Sequence, residues 1–137
     1  MCIRDSLYTD DDSAYIELHA GLAPTFFEQT GLAGGASVSW REFWLPLSGI
    51  GGVRAANAAG ALNWMQQGKT VQISFQPARS FVGELVIVDN ALVEMERMKV
   101  TATPAQPWST TVTVAGDAGP LHLMLEDSTG SVVLESR

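Results

Sequence analysis

Residues 62–75 read LNWMQQGKTVQISF, a stretch that indicates two β-strands joined by a tight turn. In its second half, apolar Val71, Ile73 and Phe75 alternate with polar residues. This period-two pattern is typical of a strand with one buried face. The QQGK between the halves contains the glycine that hairpin turns favour. We therefore predict a hairpin with one strand on either side of this turn.

The rest of the chain shows a similar pattern, in which short apolar stretches are separated by the turn residues Gly, Pro, Asp and Asn. Asp127-Ser128-Thr129-Gly130 is typical of a turn into a last strand. Further strand candidates follow the hairpin at 85–88, 92–101, 110–114, 121–125 and 131–134. Many short strands at this spacing predict an all-β protein, with a β-sandwich of immunoglobulin-like build after a boundary near Gly68.

Upstream of the hairpin the strand signals are weaker. Residues 14–20 (AYIELHA) alternate well enough for a strand. Residues 37–45 (SVSWREFWL) have the β-branched and aromatic content of another strand, which Pro46 ends. The Gly- and Ala-rich residues 49–60 could form a short helix, but Gly60 and the absence of a clean helical period favour an extended or irregular path.

Charge and composition narrow the classes of partner. The 137 residues include 15 acidic and 8 basic side chains, giving a net charge of −7. Phosphate binding needs clustered Lys and Arg, and the few basic residues here are scattered along the chain. We therefore expect neither a nucleic acid nor a membrane as partner. Cys2 is the only cysteine, which excludes disulfides and Cys-based metal sites. We expect no cofactor and no metal, and the composition leaves the cellular compartment open.

The strand at 14–20 would carry a first candidate pair for catalysis. Glu17 and His19 lie two residues apart and would project from one face. A neighbouring carboxylate and imidazole can divide general acid and base roles, because each shifts the pKa of the other. The alternative is a solvated strand face with two ordinary polar residues. The other histidine, His122, alternates with leucines and is predicted to point to solvent.

A second candidate group lies in the predicted strand 37–45. Trp40, Glu42 and Trp44 would share one face of that strand. A carboxylate flanked by indoles suits a sugar, because CH groups pack on the aromatic plane while hydroxyls bond the acid. The alternative is that both tryptophans belong to the core and that Glu42 pairs with a nearby arginine. The remaining two tryptophans in the chain are predicted to pack.

The stretch YIELHAGLAPTFFEQTGLAGGASVSWREFW, residues 15–44, resembles a family of uncharacterised bacterial proteins. They carry a domain of unknown function of the galactose-mutarotase-like kind, often followed by tetratricopeptide repeats. The matching positions are Tyr15, Glu17, Ala20, Gly21, Leu22, Thr25, Glu28, Trp40 and Glu42. His19 and Phe26 stand where the family usually has glutamines.

The resemblance implies a twisted β-supersandwich with a sugar-binding cleft on its concave face. It further implies that Glu17, Glu28 and Glu42 supply the polar lining, with Trp40 as the aromatic platform. In related enzymes a Glu base and a His acid open the sugar ring, and Glu17 or Glu42 would be the base here. Carbohydrate and the remainder of the same polypeptide are then the expected partners.

The same resemblance implies a domain organisation. Residues 1–6 (MCIRDS) resemble a translated sequencing-adapter tail of the kind found on genes from metagenomic assemblies, and are excluded from fold prediction. Residues 7–67 would be the C-terminal remnant of a supersandwich, and residues 68–137 a β-sandwich subdomain. Such a fragment would expose sheet edges and apolar surface, so we expect a marginal or aggregation-prone protein.

Two functions remain open on the sequence. The first is a fragment of a carbohydrate-binding or carbohydrate-processing protein with a mutarotase-like cleft. The second is a non-catalytic β-sandwich that serves as a structural or protein-interaction module. The first requires Glu17, Glu28, Trp40 and Glu42 to converge on one open concave surface, whereas the second permits them to be scattered or buried.

Overall fold

The computed structural model describes most of the chain, namely strand residues 2–4 and 16–18 and residues 21–23, 25, 27–115 and 119–136. Its contacts divide the chain into two compact units, Met1–Trp40 and Arg41–Arg137. None of the described residues belongs to a helix, and therefore none belongs to a helix that could cross a membrane. The prediction of an all-β protein is confirmed.

The first unit contains a small antiparallel sheet. In it β1 (Cys2–Arg4) pairs with β2 (Ile16–Leu18), and Ile3 lies opposite Glu17. The strand predicted at 14–20 is confirmed over these three central residues. The described residues between 21 and 40 follow an irregular path.

The second unit is built on two four-stranded antiparallel sheets. Its strands are β3 (Ala55–Asn57), β4 (Gly60–Gln67), β5 (Thr70–Pro77), β6 (Phe81–Val88), β7 (Glu94–Ala102), β8 (Trp108–Thr113), β9 (His122–Asp127) and β10 (Val132–Ser136). Sheet I has the order β3-β4-β5-β8, and sheet II has the order β10-β9-β6-β7. Every strand predicted after the hairpin is confirmed, with ends that differ by a few residues.

The hairpin predicted at 62–75 is formed by β4 and β5, which pair from Gly60 opposite Pro77 to Gln67 opposite Thr70. Gly68 adopts a φ of 59° at its turn, in the left-handed region that glycine enters without steric cost. Sheet I therefore continues across Gly68, where the sequence places a boundary. The contacts divide the chain elsewhere, between Trp40 and Arg41.

The core lies between the inner faces of the two sheets. Alternation along each strand directs the largest apolar side chains inward, and these are fully buried: Leu62, Val71, Ile73 and Phe75 from sheet I, and Leu85, Ile87, Val100, Leu123 and Leu125 from sheet II. Trp64 is buried among them and Trp108 packs against them, as predicted for these two tryptophans. The sandwich is thus stabilised by one continuous apolar core.

The strand predicted at 37–45 is wrong, because residues 36–48 follow an irregular path. High β-propensity reflects packing on neighbouring strands rather than a preference of the isolated backbone. The residues that follow are held by side chains of sheet I instead of by a strand ladder, as described below. The extended or irregular path predicted for 49–60 is confirmed, with β3 as its extended part.

Candidate functional site

The candidate residues of the first unit are only partly described. Glu17 lies in β2, and its side chain lies outside the described part of the structure, as does the whole of His19. Glu28 is exposed on irregular chain, where its N–H donates to the Thr25 carbonyl at 3.4 Å. The proposed acid–base pair of Glu17 and His19 therefore stays a prediction.

The tryptophans at 40 and 44 are surface residues. Trp40, at the end of the first unit, is 57 % exposed, and Trp44, in the second, is 53 % exposed. Glu42 is exposed as well. These exposures exclude the alternative in which both tryptophans belong to the core. Because the segment is irregular, the shared strand face predicted for Trp40, Glu42 and Trp44 is not formed.

Residues 41–53, named here the aromatic segment, present apolar side chains to solvent at the start of the second unit. Phe43 and Trp44 are each more than half exposed, and Leu47 and Val53 are more than two-fifths exposed. Exposed apolar side chains that lie this close together in the chain are a stronger indication of a binding site than single scattered ones. The aromatic segment is therefore the strongest candidate interaction surface among the described residues.

The centre of the aromatic segment is fixed to sheet I by the Gln76 side chain. Its Oε1 accepts from the Ser48 N–H at 2.7 Å, and its Nε2 donates to the Pro46 carbonyl at 3.0 Å. Nε2 also donates to the Pro104 carbonyl at 3.1 Å. Gln76 itself is 5 % exposed. These bonds attach the chain just after Phe43 and Trp44 to β5, a strand that is paired on both sides.

A second side chain of sheet I fixes the end of the segment. Asn63 Nδ2 donates to the Ile50 carbonyl at 2.8 Å, and Ile50 is buried. Gly52 approaches this amide closely, since a Cβ there would lie 3.3 Å from Asn63 Nδ2. Because Asn63 and Gln76 alternate with inward-facing residues, both project from the outer face of sheet I. The segment thus lies across that outer face.

Sheet II carries a cluster of charges on its outer face. The Arg97 guanidinium contacts Glu84 at 2.8 Å, Glu94 at 2.8 Å and Glu126 at 2.7 Å. The hydrogen bond from Arg97 lowers the pKa of the Glu94 carboxyl. A carboxylate that is held charged in this way cannot serve as a general acid near neutral pH. The geometry gives Arg97 a structural role, in which one guanidinium offsets the repulsion among three carboxylates.

The turn from β9 to β10 accounts for another acidic residue. Asp127 Oδ1 accepts from the Thr129 N–H at 2.8 Å, the Thr129 hydroxyl at 2.6 Å and the Ser131 N–H at 3.1 Å. These hydrogen bonds lower the pKa of the Asp127 carboxyl. The predicted turn at 127–130 is confirmed, and Asp127 stabilises it.

No three His, Cys, Asp or Glu side chains of the described residues come together as metal ligands do. His122 is half-buried in β9, between the buried Leu121 and Leu123. The described part of the sandwich therefore gains no candidate metal site, and His122 adds no candidate catalytic group.

Comparison with known proteins adds no relative. No family model matches this chain, and neither a curated protein nor a solved structure matches it.

Sequence reasoning missed Asn63 and Gln76. Gln76 sits in the alternating pattern of β5 as a residue of the solvent face, yet it is buried. The two prolines that Gln76 binds are one signal in the sequence. Pro46 and Pro104 lack an N–H and interrupt local backbone pairing, so their carbonyls are left for other donors. Nothing local indicates that these carbonyls meet the same side chain.

Proposed function

We propose that the second unit is a non-catalytic β-sandwich that presents a carbohydrate-binding surface within a carbohydrate-binding or carbohydrate-processing protein. The observation that carries this proposal is the exposure of Phe43 and Trp44 on a segment that Gln76 fixes to sheet I. Aromatic rings offer flat apolar area for the CH groups of a pyranose. The exposed Glu42 carboxylate can accept hydrogen bonds from sugar hydroxyls.

The hydrogen bonds that hold the aromatic segment on sheet I favour ligand binding. A ligand that binds a loose loop must also order it, at a cost of about 0.5–1.5 kcal/mol per immobilised side chain. The bonds to Gln76 and Asn63 reduce that cost, because they hold Pro46, Ser48 and Ile50 before a ligand arrives. Weak carbohydrate contacts benefit most from a surface that is already ordered.

We propose further that this sandwich is of immunoglobulin-like build. If β4 to β10 are named A, B, C, C′, E, F and G in chain order, the sheets become A-B-E and G-F-C-C′, with β3 as an additional edge strand. This order supports an immunoglobulin-like sandwich. The mutarotase-like assignment predicted for residues 7–67 overlaps this sandwich in β3 and β4. For the residues before β3 the sequence resemblance alone supports it, with Glu17, His19 and Glu28 as the polar residues.

The experiment is a binding screen of the full chain against neutral oligosaccharides and polysaccharides, followed by calorimetry on any ligand found. Trp44→Ala should weaken binding by about tenfold, the value of one lost aromatic contact. Met65→Ala is the matched control, since Met65 is 52 % exposed on β4 and lies outside the aromatic segment. Binding that is absent throughout the screen, or unchanged in Trp44→Ala, would refute the proposal.

The second candidate is a protein-interaction module. The exposed aliphatic side chains of Leu47 and Val53 favour it, because apolar aliphatic area suits a protein partner better than a hydroxylated sugar. Light scattering coupled to gel filtration separates the two candidates. Self-association that Leu47→Ser abolishes, without glycan binding, would favour the protein contact.

A further inference from the structure

Gln76 is a polar side chain in an unexpected environment. It lies near the end of β5, on the outer face of sheet I, where Gln72 on the same strand is exposed. Gln76 is only 5 % exposed, because the aromatic segment and the turn at 103–106 cover it. A buried amide is costly unless its hydrogen bonds are made.

The three hydrogen bonds of Gln76 match the chemistry of a carboxamide. Its oxygen takes one donor, the Ser48 N–H, and both N–H groups are available for the carbonyls of Pro46 and Pro104. A carboxamide supplies one acceptor and two donors at once, whereas glutamate has no donor when charged and methionine has none at all. No buried side-chain polar atom among the described residues lacks a partner.

The third of these bonds joins the segment to another part of the sandwich. Pro104 lies in a turn that is closed on itself, since the N–H groups of Thr103 and Gln106 each donate to the carbonyl of the other at 3.1 and 3.0 Å. The Gln76 amide therefore links the aromatic segment to a turn that is itself closed by two backbone hydrogen bonds, as well as to β5.

We propose that Gln76 is the positioning residue of the aromatic segment: its carboxamide holds Pro46 and Ser48 so that Phe43 and Trp44 stay displayed in one arrangement. The inference rests on the proposed function for the identity of the ligand, and on the hydrogen bonds alone for the positioning. Gln76 contacts no ligand in this scheme and acts only through the segment.

The test uses nuclear magnetic resonance on the full chain. Gln76→Met has similar length and cannot hydrogen-bond in this way. We expect the Ser48 amide to exchange with solvent about tenfold faster in this variant, as one lost hydrogen bond predicts. The Trp44 indole should become more mobile on the nanosecond timescale, while the amides that pair β4 with β5 keep their protection.

Gln66→Met is the matched control. Gln66 also donates from Nε2 to a backbone carbonyl, that of Gly68 at 3.1 Å. It lies next to the turn of the β4–β5 hairpin, whereas Gln76 lies at the other end of that hairpin. This variant should change neither Ser48 exchange nor Trp44 mobility. A role of Gln76 in global stability alone would raise exchange throughout the β4–β5 ladder, which would overturn the proposal.

Two further outcomes decide the remaining cases. If Gln76→Met does not fold, the wild-type protein still provides the test, since the Ser48 amide should exchange about tenfold more slowly than the amide of Leu47. Equal rates there, or an unchanged Trp44 in a folded Gln76→Met, overturn the positioning role. If positioning holds and the wild type binds no glycan, the proposed function fails while the role of Gln76 stands.

Discussion

Trp64 and Trp44 belong to the same unit but to contrasting parts of it. Trp64 is 7 % exposed in β4, its Nε1 donates to the Ser136 hydroxyl at 3.1 Å, and the Arg54 guanidinium lies 4.3 Å from its ring centre. Trp44 is 53 % exposed on irregular chain. The difference separates an aromatic residue that stabilises the sandwich from one that is available to a ligand.

The sandwich and the aromatic segment are also stabilised by different interactions. The sandwich is held by strand ladders and by a continuous apolar core. The aromatic segment is held by hydrogen bonds to the side chains of Gln76 and Asn63 and by the burial of Ile50. Core burial is worth several kcal/mol per large side chain, whereas single hydrogen bonds are worth about one. Substitutions in the sandwich core should therefore have the larger effect on the free energy of unfolding. Substitutions in the aromatic segment should mainly affect ligand binding.

The largest contrast is expected between two phenylalanines. Phe75 is fully buried and packs edge-on against Phe81, with ring centres 5.2 Å apart. Phe75→Ala should lower the free energy of unfolding by about 3–5 kcal/mol, because it leaves a cavity in the core. Phe43→Ala should change it by less than about 0.5 kcal/mol. Urea denaturation measures both, and equal effects would contradict the division into core and surface.

Two glycines give the next contrast. A Cβ at Gly83 would collide with the Glu126 carbonyl of the paired strand and with the Phe81 ring, whereas a Cβ at Gly34 would meet nothing. Gly83→Ala should therefore cost about 1–3 kcal/mol through overpacking. Gly34→Ala should be neutral within about 0.5 kcal/mol. Thermal melts of both variants test this, and a neutral Gly83→Ala would show that β6 and β9 can separate locally.

The tryptophans themselves can be compared by conservative substitution. Trp64→Phe removes the hydrogen bond to the Ser136 hydroxyl, which is itself buried, and should cost about 1–3 kcal/mol. Trp44→Phe should leave the free energy of unfolding unchanged while weakening any glycan binding. Denaturation and calorimetry on the same samples separate these effects. A large stability loss in Trp44→Phe would place that ring in the core of the fold instead.

The smallest effect concerns acid stability. The pKa of Asp127 is lowered by its bonds to Thr129 and Ser131 in the folded protein. A lowered folded-state pKa contributes stability that is present above the unfolded-state value, about pH 4, and is lost as the pH falls through the folded-state value. Asp127→Asn should therefore lower the melting temperature slightly at pH 7 and flatten its decline below pH 4. Parallel curves for the two proteins would contradict this.

Sequence reasoning predicted the sandwich well and the candidate site less well. The strands from β4 to β10 follow from alternation and turn residues, as the hairpin around Gly68 shows. The strand predicted at 37–45 failed because its aromatic residues have high β-propensity but no ladder partner. Trp40 and Trp44 are exposed, but the shared strand face on which the prediction relied is absent, and their role in binding stays a prediction.

The amino-acid sequence by itself determined the all-β class, the order of the strands along the chain and the residues that fill the core. Those features depend on period-two alternation and on glycine-containing turns, which are local properties. Tertiary structure alone decided which polar residue of β5 is buried, and which surface displays Phe43 and Trp44. Gln76 binds Ser48, 28 residues away along the chain, and no local pattern encodes a contact at that separation.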